Sequence, residues 1–282
     1  MKPFHLPRLA AALIMASTTA SAMEVEVTPL PRILPDGIVA EGRNDILTAW
    51  LSTPTERYAH GALGDTIEAA GISVVLKDGT RLTLELPENA VFEDRYPRLV
   101  DLDRDGRDEM VVVKSTLSQG AALVIIGVRE GQLQILAQSK PIGRANRWLN
   151  PVGVGDFDAD GQIELAYVET PHIGGTLRIL RWQDDQLVEV YAEYGFSNHL
   201  IGTPEMGLAT VLDTNGDGVT DLVVPNTSRR ILRVVTFKGG TFKELAQVPL
   251  SAPVLRLMTQ YKDLKALIAV LANGRTAGVR FK

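Results

Sequence analysis

A nine-residue acidic loop that occurs three times constrains this chain more than anything else in it. In Asp156-Phe157-Asp158-Ala159-Asp160-Gly161-Gln162-Ile163-Glu164, acidic side chains fall at positions 1, 3, 5 and 9, with glycine at 6. Asp101, Asp103, Asp105 and Glu109 repeat the pattern around Gly106; Asp213, Asn215, Asp217 and Asp221 repeat it around Gly218. Position 7 (Arg107, Gln162, Val219) varies freely, as it would if only its backbone carbonyl were used. Ca²⁺ is a hard cation that takes six to eight oxygens in a flexible shell, and alternating carboxylates around a glycine turn supply them. Without a cation, three or four carboxylates within a few ångströms repel one another, which disfavours plain acidic surface turns. About three structural Ca²⁺ ions are therefore expected.

An EF-hand is excluded by position 12, where that loop needs a bidentate glutamate. Here position 12 is Val112, Tyr167 and Val224. The residues after each loop (Met110–Val113, Leu165–Val168, Leu222–Val224) are β-branched or alternating and read as strand. Each acidic loop is thus a strand-to-strand turn.

Three such loops, each followed by a short strand, resemble FG-GAP (VCBS-type) repeats, known from β-propellers such as the integrin α-subunit head. The resemblance covers roughly residues 95–250 and weakens on either side. It implies a propeller fold and Ca²⁺ held by positions 1, 3, 5 and 9 of each loop, and it implies no activity. Asn215 in place of an acid lowers the charge of the third loop.

Around the loops the chain reads as four-strand meanders, A to D. The clearest has A at 152–155, B at 165–168, C at 176–182, a tight turn at Gln183–Gln186, and D at 187–191. Matching units run from 98 to 137 and from 208 to 248, with Gly or Asp in each C–D turn where hairpins need positive φ. Two further units, 61–86 and 253–282, lack the acidic loop, and the last stops one strand short. Residues 45–51 offer a spare strand that would complete it and close the ring, removing exposed edges. The expected fold is an all-β propeller over 45–282, of five blades with four antiparallel strands each, or six if 24–44 contributes more sheet. No segment has sustained helical periodicity.

Residues 1–22 read as a secretory signal. Lys2 and Arg8 precede the apolar Leu9–Ala16, and Ala20-Ser21-Ala22 is a small-residue cleavage site. Residues 23–44 read as an extended leader, punctuated by Pro29, Pro31, Pro35 and Asp36-Gly37. The expected location is periplasmic or extracellular. Without the signal the chain has 27 basic against 34 acidic residues, a net charge of −7, and no basic tract, which argues against nucleic acid. No later apolar stretch is long enough for a membrane span, there is no cysteine, and a monomer is expected.

In a propeller of this topology the A–B loops and C–D turns share one face, and the B–C and D–A loops share the other. The acidic loops occupy the first. The second collects Arg57, His60, Asn146, Arg147, Trp148, Asn150, His172, Asn198 and His199. Arginine offers fixed forks for anions, and histidine can bind metal or move protons. The bland alternative is that these side chains tie adjacent blades together. Sequence spacing alone does not show that the three histidines meet.

There is no G-x-S-x-G, H-E-x-x-H or phosphate loop, so no catalytic residues are assigned. The pairs Glu93-Asp94 and Asp184-Asp185 sit in turns and read as solvated. The primary expectation is a non-enzymatic binding or adhesion module for a protein, peptide or glycan. The alternatives are a hydrolase or lyase on an anionic polymer or phosphoester, and a ligand-free periplasmic scaffold. Calcium at a hundredfold excess over its dissociation constant would stabilise the fold by about 2.7 kcal/mol per site.

Overall fold

The β-branched runs beside each acidic loop pair as antiparallel strands, and successive sheets pack face to face. The computed structural model describes residues 32–260 and 265–281. The signal reading at 1–22 and the first part of the leader lie outside them. The first meander comprises β1 (Ala40–Glu41), β2 (Ile46–Thr55), β3 (Glu68–Leu76) and β4 (Arg81–Glu85). The short β5 (Ala90–Phe92) joins it to a second meander of β6 (Arg98–Val100), β7 (Glu109–Thr116), β8 (Gly120–Arg129) and β9 (Gln132–Gln138). By pairing with both β3 and β7, β5 makes one nine-stranded sheet of the two.

A four-stranded sheet follows, with β10 (Leu149–Gly155), β11 (Glu164–Glu169), β12 (Thr176–Gln183) and β13 (Gln186–Tyr194). The next contains β14 (Thr210–Leu212), β15 (Asp221–Pro225), β16 (Ile231–Thr236) and β17 (Lys243–Pro249). The last has three strands, β18 (Val254–Gln260), β19 (Ala266–Leu271) and β20 (Thr276–Arg280). Among the described residues there is no α-helix, and no helix long and apolar enough to cross a membrane.

The second strands of the loop-bearing sheets are apolar on both faces because each face meets a different neighbour. Met110, Val112, Val124 and Ile126 pack with Ile72 and Val74 of the first meander. Val111, Val113, Leu123 and Ile125 share a core with Leu165, Tyr167 and Leu180 of the third. Ala166, Val168, Leu177 and Ile179 pack with Leu222, Val224 and Val235. Val223, Leu232 and Val234 then meet Leu267, Ala269 and Leu271. The period of two sends alternate residues into successive cores, so strands buried on both sides read as continuous hydrophobic runs.

The three C–D pairings each break register at the same place, at Ile125/Ile126, Ile179/Leu180 and Val234/Val235. A bulge bends a strand and increases its twist. The tight turns carry the expected left-handed residues: Glu130 and Gly131 in one, Asp184 and Asp185 in the next, Gly239 and Gly240 in the last.

Two strand assignments need correction. The N-terminal strand does not complete the C-terminal sheet: Ile46–Thr55 pairs along its length with Glu68–Leu76, from Ile46↔Leu76 to Thr55↔Glu68. The unit expected over 61–86 also has no strand at its start: Gly61–Asp65 is in the connection between those two strands. The reason is local. Trp50, Leu51 and Ser52 lie opposite Ser73, Ile72 and Gly71, and the Ser52 and Ser73 hydroxyls hydrogen-bond at 2.9 Å, so the nearer partner satisfies the strand. The later part of the leader is also tied down. Leu34 is buried, Ile33 bridges Ser52, and Ala40–Glu41 pairs with Thr48–Ala49.

Phe157, at loop position 2, is fully buried between the third and fourth sheets. Phe157→Ala is expected to cost about 3–5 kcal/mol in urea denaturation, the range for deleting a buried aromatic. A loss below about 1 kcal/mol would show that position 2 does not anchor the loop.

Candidate functional site

The three acidic loops share one backbone plan. Position 6 is Gly106, Gly161 or Gly218, all at φ between 81° and 92°, where a side chain is strained. The position-1 carboxylate accepts its N–H: Asp101 Oδ2 from Gly106 (3.1 Å), Asp156 Oδ2 from Gly161 (3.0 Å), Asp213 Oδ2 from Gly218 (3.0 Å). Position 3 caps the amide of position 5 in each copy, and position 5 caps that of position 7. Position 9 begins the following strand, is fully buried, and accepts the position-2 amide. Glu109 takes Leu102 N–H at 3.0 Å, Glu164 takes Phe157 N–H at 2.9 Å, and Asp221 takes Thr214 N–H at 3.0 Å.

One oxygen of each pair is thus spent on the backbone, and several of the others are stranded. Asp101 Oδ1, Glu109 Oε1, Asp156 Oδ1 and Asp221 Oδ1 are buried without a hydrogen-bond partner. Buried anionic oxygens in that state are costly, and a hard cation is the partner their chemistry fits. Two clusters, Asp101/Asp103/Glu109 and Asp156/Asp158/Glu164, each bring three carboxylate oxygens within 4.8 Å of one another and could hold a metal ion. Position 5 is engaged differently. Arg107 takes Asp105 (2.7 Å), Arg181 takes Asp160 (2.9 Å) and Lys238 takes Asp217 (3.1 Å). Burial, reinforced by Asp103 and Asp105 and opposed by the Leu102 amide, pushes the Glu109 carboxyl up to about 7.

The opposite loops build a cavity of about 270 Å³, lined by His60, Asn146, Arg147, Trp148, Thr170, His172, Ile173 and Ile201. His60 follows β2, and its Nδ1 lies 2.6 Å from Glu93 Oε1. Glu93 is fully buried; Ser115 Oγ donates to its other oxygen, and Trp148 Nε1 donates to its carbonyl at 2.9 Å. Burial pushes the Glu93 carboxyl up, and the hydrogen bond and charge of His60 oppose that. Behind it Glu68 is pushed up to about 10, first by burial and then by Glu93, so it is neutral at ordinary pH.

On the other side His199 Nε2 lies 2.9 Å from the Thr203 carbonyl, and its Nδ1 lies 2.8 Å from His172 Nε2. A carbonyl only accepts, so His199 carries its proton on Nε2. Its Nδ1 then accepts from His172 Nε2–H, which leaves His172 Nδ1 without a proton. Burial holds both rings neutral, His172 down to about 4 and His199 to about 3. His172 stacks parallel to Trp148 with ring centroids 6.0 Å apart.

The residues expected on this face therefore divide. His60, Asn146, Arg147, Trp148 and His172 line the cavity. His199 is fully buried and acts through His172. Asn150 and Asn198 form a reciprocal clamp, each amide donating to the other's backbone carbonyl at 3.0 and 2.9 Å. Arg57 is spent on the carbonyls of Leu86 and Ala90. Glu93 and Asp94, expected in solvent, are both buried: Asp94 pairs with Arg98 at 2.7 Å and accepts Val113 N–H at 3.0 Å. Only the apolar run before them, Ala90-Val91-Phe92, hinted that the chain was still inside. Asp184 and Asp185 are exposed, as expected.

The raised Glu109 carboxyl gives a pH signature. Its folded value lies above its unfolded one, so its contribution to stability is full below about 4.5 and is lost as pH rises through about 7. In chelator, this group should make the thermal midpoint fall between pH 5 and 8, and Glu109→Gln should flatten that slope. Excess Ca²⁺, which favours the ionised form, should remove it in the wild type. An identical slope in E109Q and wild type would show that the buried carboxylate is not the source.

No curated protein sequence matches the chain. The chain is similar in fold to the crystal structure of rhamnogalacturonan lyase YesW, with a TM-score of 0.54 at 14% identity. The match covers 90% of this chain and 52% of that one, so this chain spans about half the length of the solved structure. Residues 101–167, which hold the first two acidic loops and the strands between them, match the family model of the FG-GAP-like repeat, the family that the loops resemble.

Proposed function

We propose that this chain is an exported, calcium-stabilised β-propeller of five blades. In this reading it is a binding module for a protein, peptide or glycan, seated at the face opposite the metal loops. The blades are the two meanders joined by β5, the two four-stranded sheets and the three-stranded sheet. A ring is favoured by the loop between β13 and β14. Along residues 195–207 it bonds to each of the five units: Gly195 N–H to Gly175 O, Ser197 N–H to Pro225 O, Gly202 N–H to Ala62 O, Pro204 O from Arg95, and Gly207 O from Leu257 N–H. A segment with partners on so many sheets occupies a central position. In this reading three Ca²⁺ ions sit in the three loops, held by positions 1, 3, 5 and 9.

The observation that carries the binding assignment is the cavity. Each of its two histidines has one nitrogen held by the protein, His60 by Glu93 and His172 by His199. The remaining nitrogen is free for a ligand, and at His172 it is an acceptor. Arg147 and Asn146 add donors, while exposed Ile173 and Ile201 give an apolar rim. Acceptors, donors and an apolar edge in a small concavity suit a hydroxylated ring or a short peptide. The lining holds no poised nucleophile, since the Thr170 hydroxyl donates to Ile173 O.

One feature favours a second reading. A buried carboxylate behind His60 is the arrangement that orients an imidazole as a general base, with Arg147 nearby for an anionic substrate. Such a site would serve a lyase or hydrolase on an anionic polymer.

Affinity electrophoresis in gels containing rhamnogalacturonan and other polysaccharides, with a peptide array alongside, separates these readings. His60→Ala, His172→Ala and Arg147→Ala should each weaken retention by about tenfold, the loss of one or two ligand hydrogen bonds; the calcium-loaded midpoint should hold in R147A and fall in H60A, which strips the buried Glu93 of a partner. Retention without turnover supports the module, and product release that H60A abolishes supports the enzyme. Wild-type retention in all three variants would remove the cavity from consideration.

A further inference from the structure

We infer that Arg181 is a built-in competitor for calcium, so that the middle loop fills only after the other two. The inference rests on the calcium reading above and concerns how the three loops differ. Arg181 lies in β12 directly across from Glu164. Its Nη2 donates to Glu164 Oε1 at 2.6 Å and to Asp158 Oδ2 at 2.7 Å. Its Nε reaches the same Glu164 oxygen at 3.0 Å, and its Nη1 lies 2.9 Å from Asp160 Oδ2. One guanidinium, its side chain only 15% exposed, therefore engages the carboxylates of positions 3, 5 and 9 together.

The other loops have no guanidinium hydrogen-bonded across the cluster. With Met110 opposite Ile126, the place of Arg181 falls to Gly127, which has no side chain. With Leu222 opposite Val235, it falls to Thr236. The buried position-9 oxygens show the consequence. Glu109 Oε1 and Asp221 Oδ1 have no hydrogen-bond partner, whereas Glu164 Oε1 has two bonds from Arg181. In the first loop Arg129 Nη2 lies 3.7 Å from Glu109 Oε1 and 3.8 Å from Asp103 Oδ2, an ion pair to positions 9 and 3 that is too long for a hydrogen bond. In the third loop Lys238 reaches only Asp217.

Calcium needs its ligand oxygens to itself. Entry into the middle loop must break several charge-assisted bonds from Arg181 and drive a second cation out of the cluster. The loop at 101–109 has only the longer approach of Arg129 to displace from positions 3 and 9, and at 213–221 Lys238 pairs with position 5 alone. The same guanidinium keeps the middle loop ordered when metal is absent, so the three loops respond differently to calcium withdrawal.

The test titrates full-length mature wild-type protein, Arg181→Met and Arg181→Lys with CaCl2. Calcium is counted by mass spectrometry after equilibrium dialysis, and amide exchange is followed at Gly106, Gly161 and Gly218. The wild type should bind two ions at low calcium and a third weakly, and chelator should expose Gly106 and Gly218 but not Gly161. In R181M the third site should tighten by about tenfold or more, the scale of one or two lost charge-assisted bonds, and Gly161 should join the chelator-sensitive amides. R181K, which keeps the charge but not the fork, should give a smaller gain and serves alone if R181M does not fold. A third site that is unchanged or weaker in the variants overturns the competitor while the calcium reading stands. A wild type that binds no calcium overturns both.

Discussion

A buried carboxylate at the start of a strand, accepting the amide seven residues before it, is the contact on which the rest of this molecule depends. It occurs three times, at Glu109, Glu164 and Asp221, with nearly the same distance in each. It closes the turn, and it places the position-2 side chain (Leu102, Phe157 or Thr214) in the interior. From that point the chain has no choice of register, because a slip by one residue would exchange the two cores that the following strand serves. The acidic loop is thus at once an anion cluster and a register clamp, so its electrostatic cost sits at the position that sets the packing.

That cost is handled differently in the three copies. The first leaves Glu109 with a raised carboxyl and an unbonded oxygen, the middle one brings in a guanidinium, and the third uses the shorter Asp221, bonded also by the Thr214 hydroxyl. Each is a way to hold a buried negative charge in place, and only in the middle loop are both position-9 oxygens bonded by the protein, while Asp156 Oδ1 of that loop stays without a partner.

What was legible in the sequence follows from range. The acidic loops, the strands behind them and the hairpin turns are decided within about ten residues, by carboxylate spacing, β-branching and left-handed turn residues, and they lie where the sequence puts them. The partner of Ile46–Thr55 lies past that range, across the connection at 56–67, and the strand pairs with β3 rather than with the distant C-terminal sheet. The candidate site was legible only in part. His60, His172, Trp148 and Arg147 announce themselves by residue type, but Glu93 looked like a surface acid. Its burial depends on β5, a three-residue strand with no pattern of its own. Asn150 and Asn198 show the converse: polar residues that hold the start of β10 to the loop after β13.

The two faces are coupled through this same frame. Strand β7 begins at Glu109, under the first acidic loop, and reaches Ser115, whose hydroxyl donates to Glu93 behind His60. Strand β11 likewise runs from Glu164 to Glu169, next to Thr170 at the cavity. An acidic loop and a cavity wall are therefore opposite ends of one buried strand, and a close-packed interior transmits strain along it. In the calcium reading proposed above, an ion at one end would fix where the strand starts, and with it the depth at which Ser115 meets Glu93 behind His60. The cavity would then be a property of the loaded frame, and the acidic face would shape it from the far end of the strand.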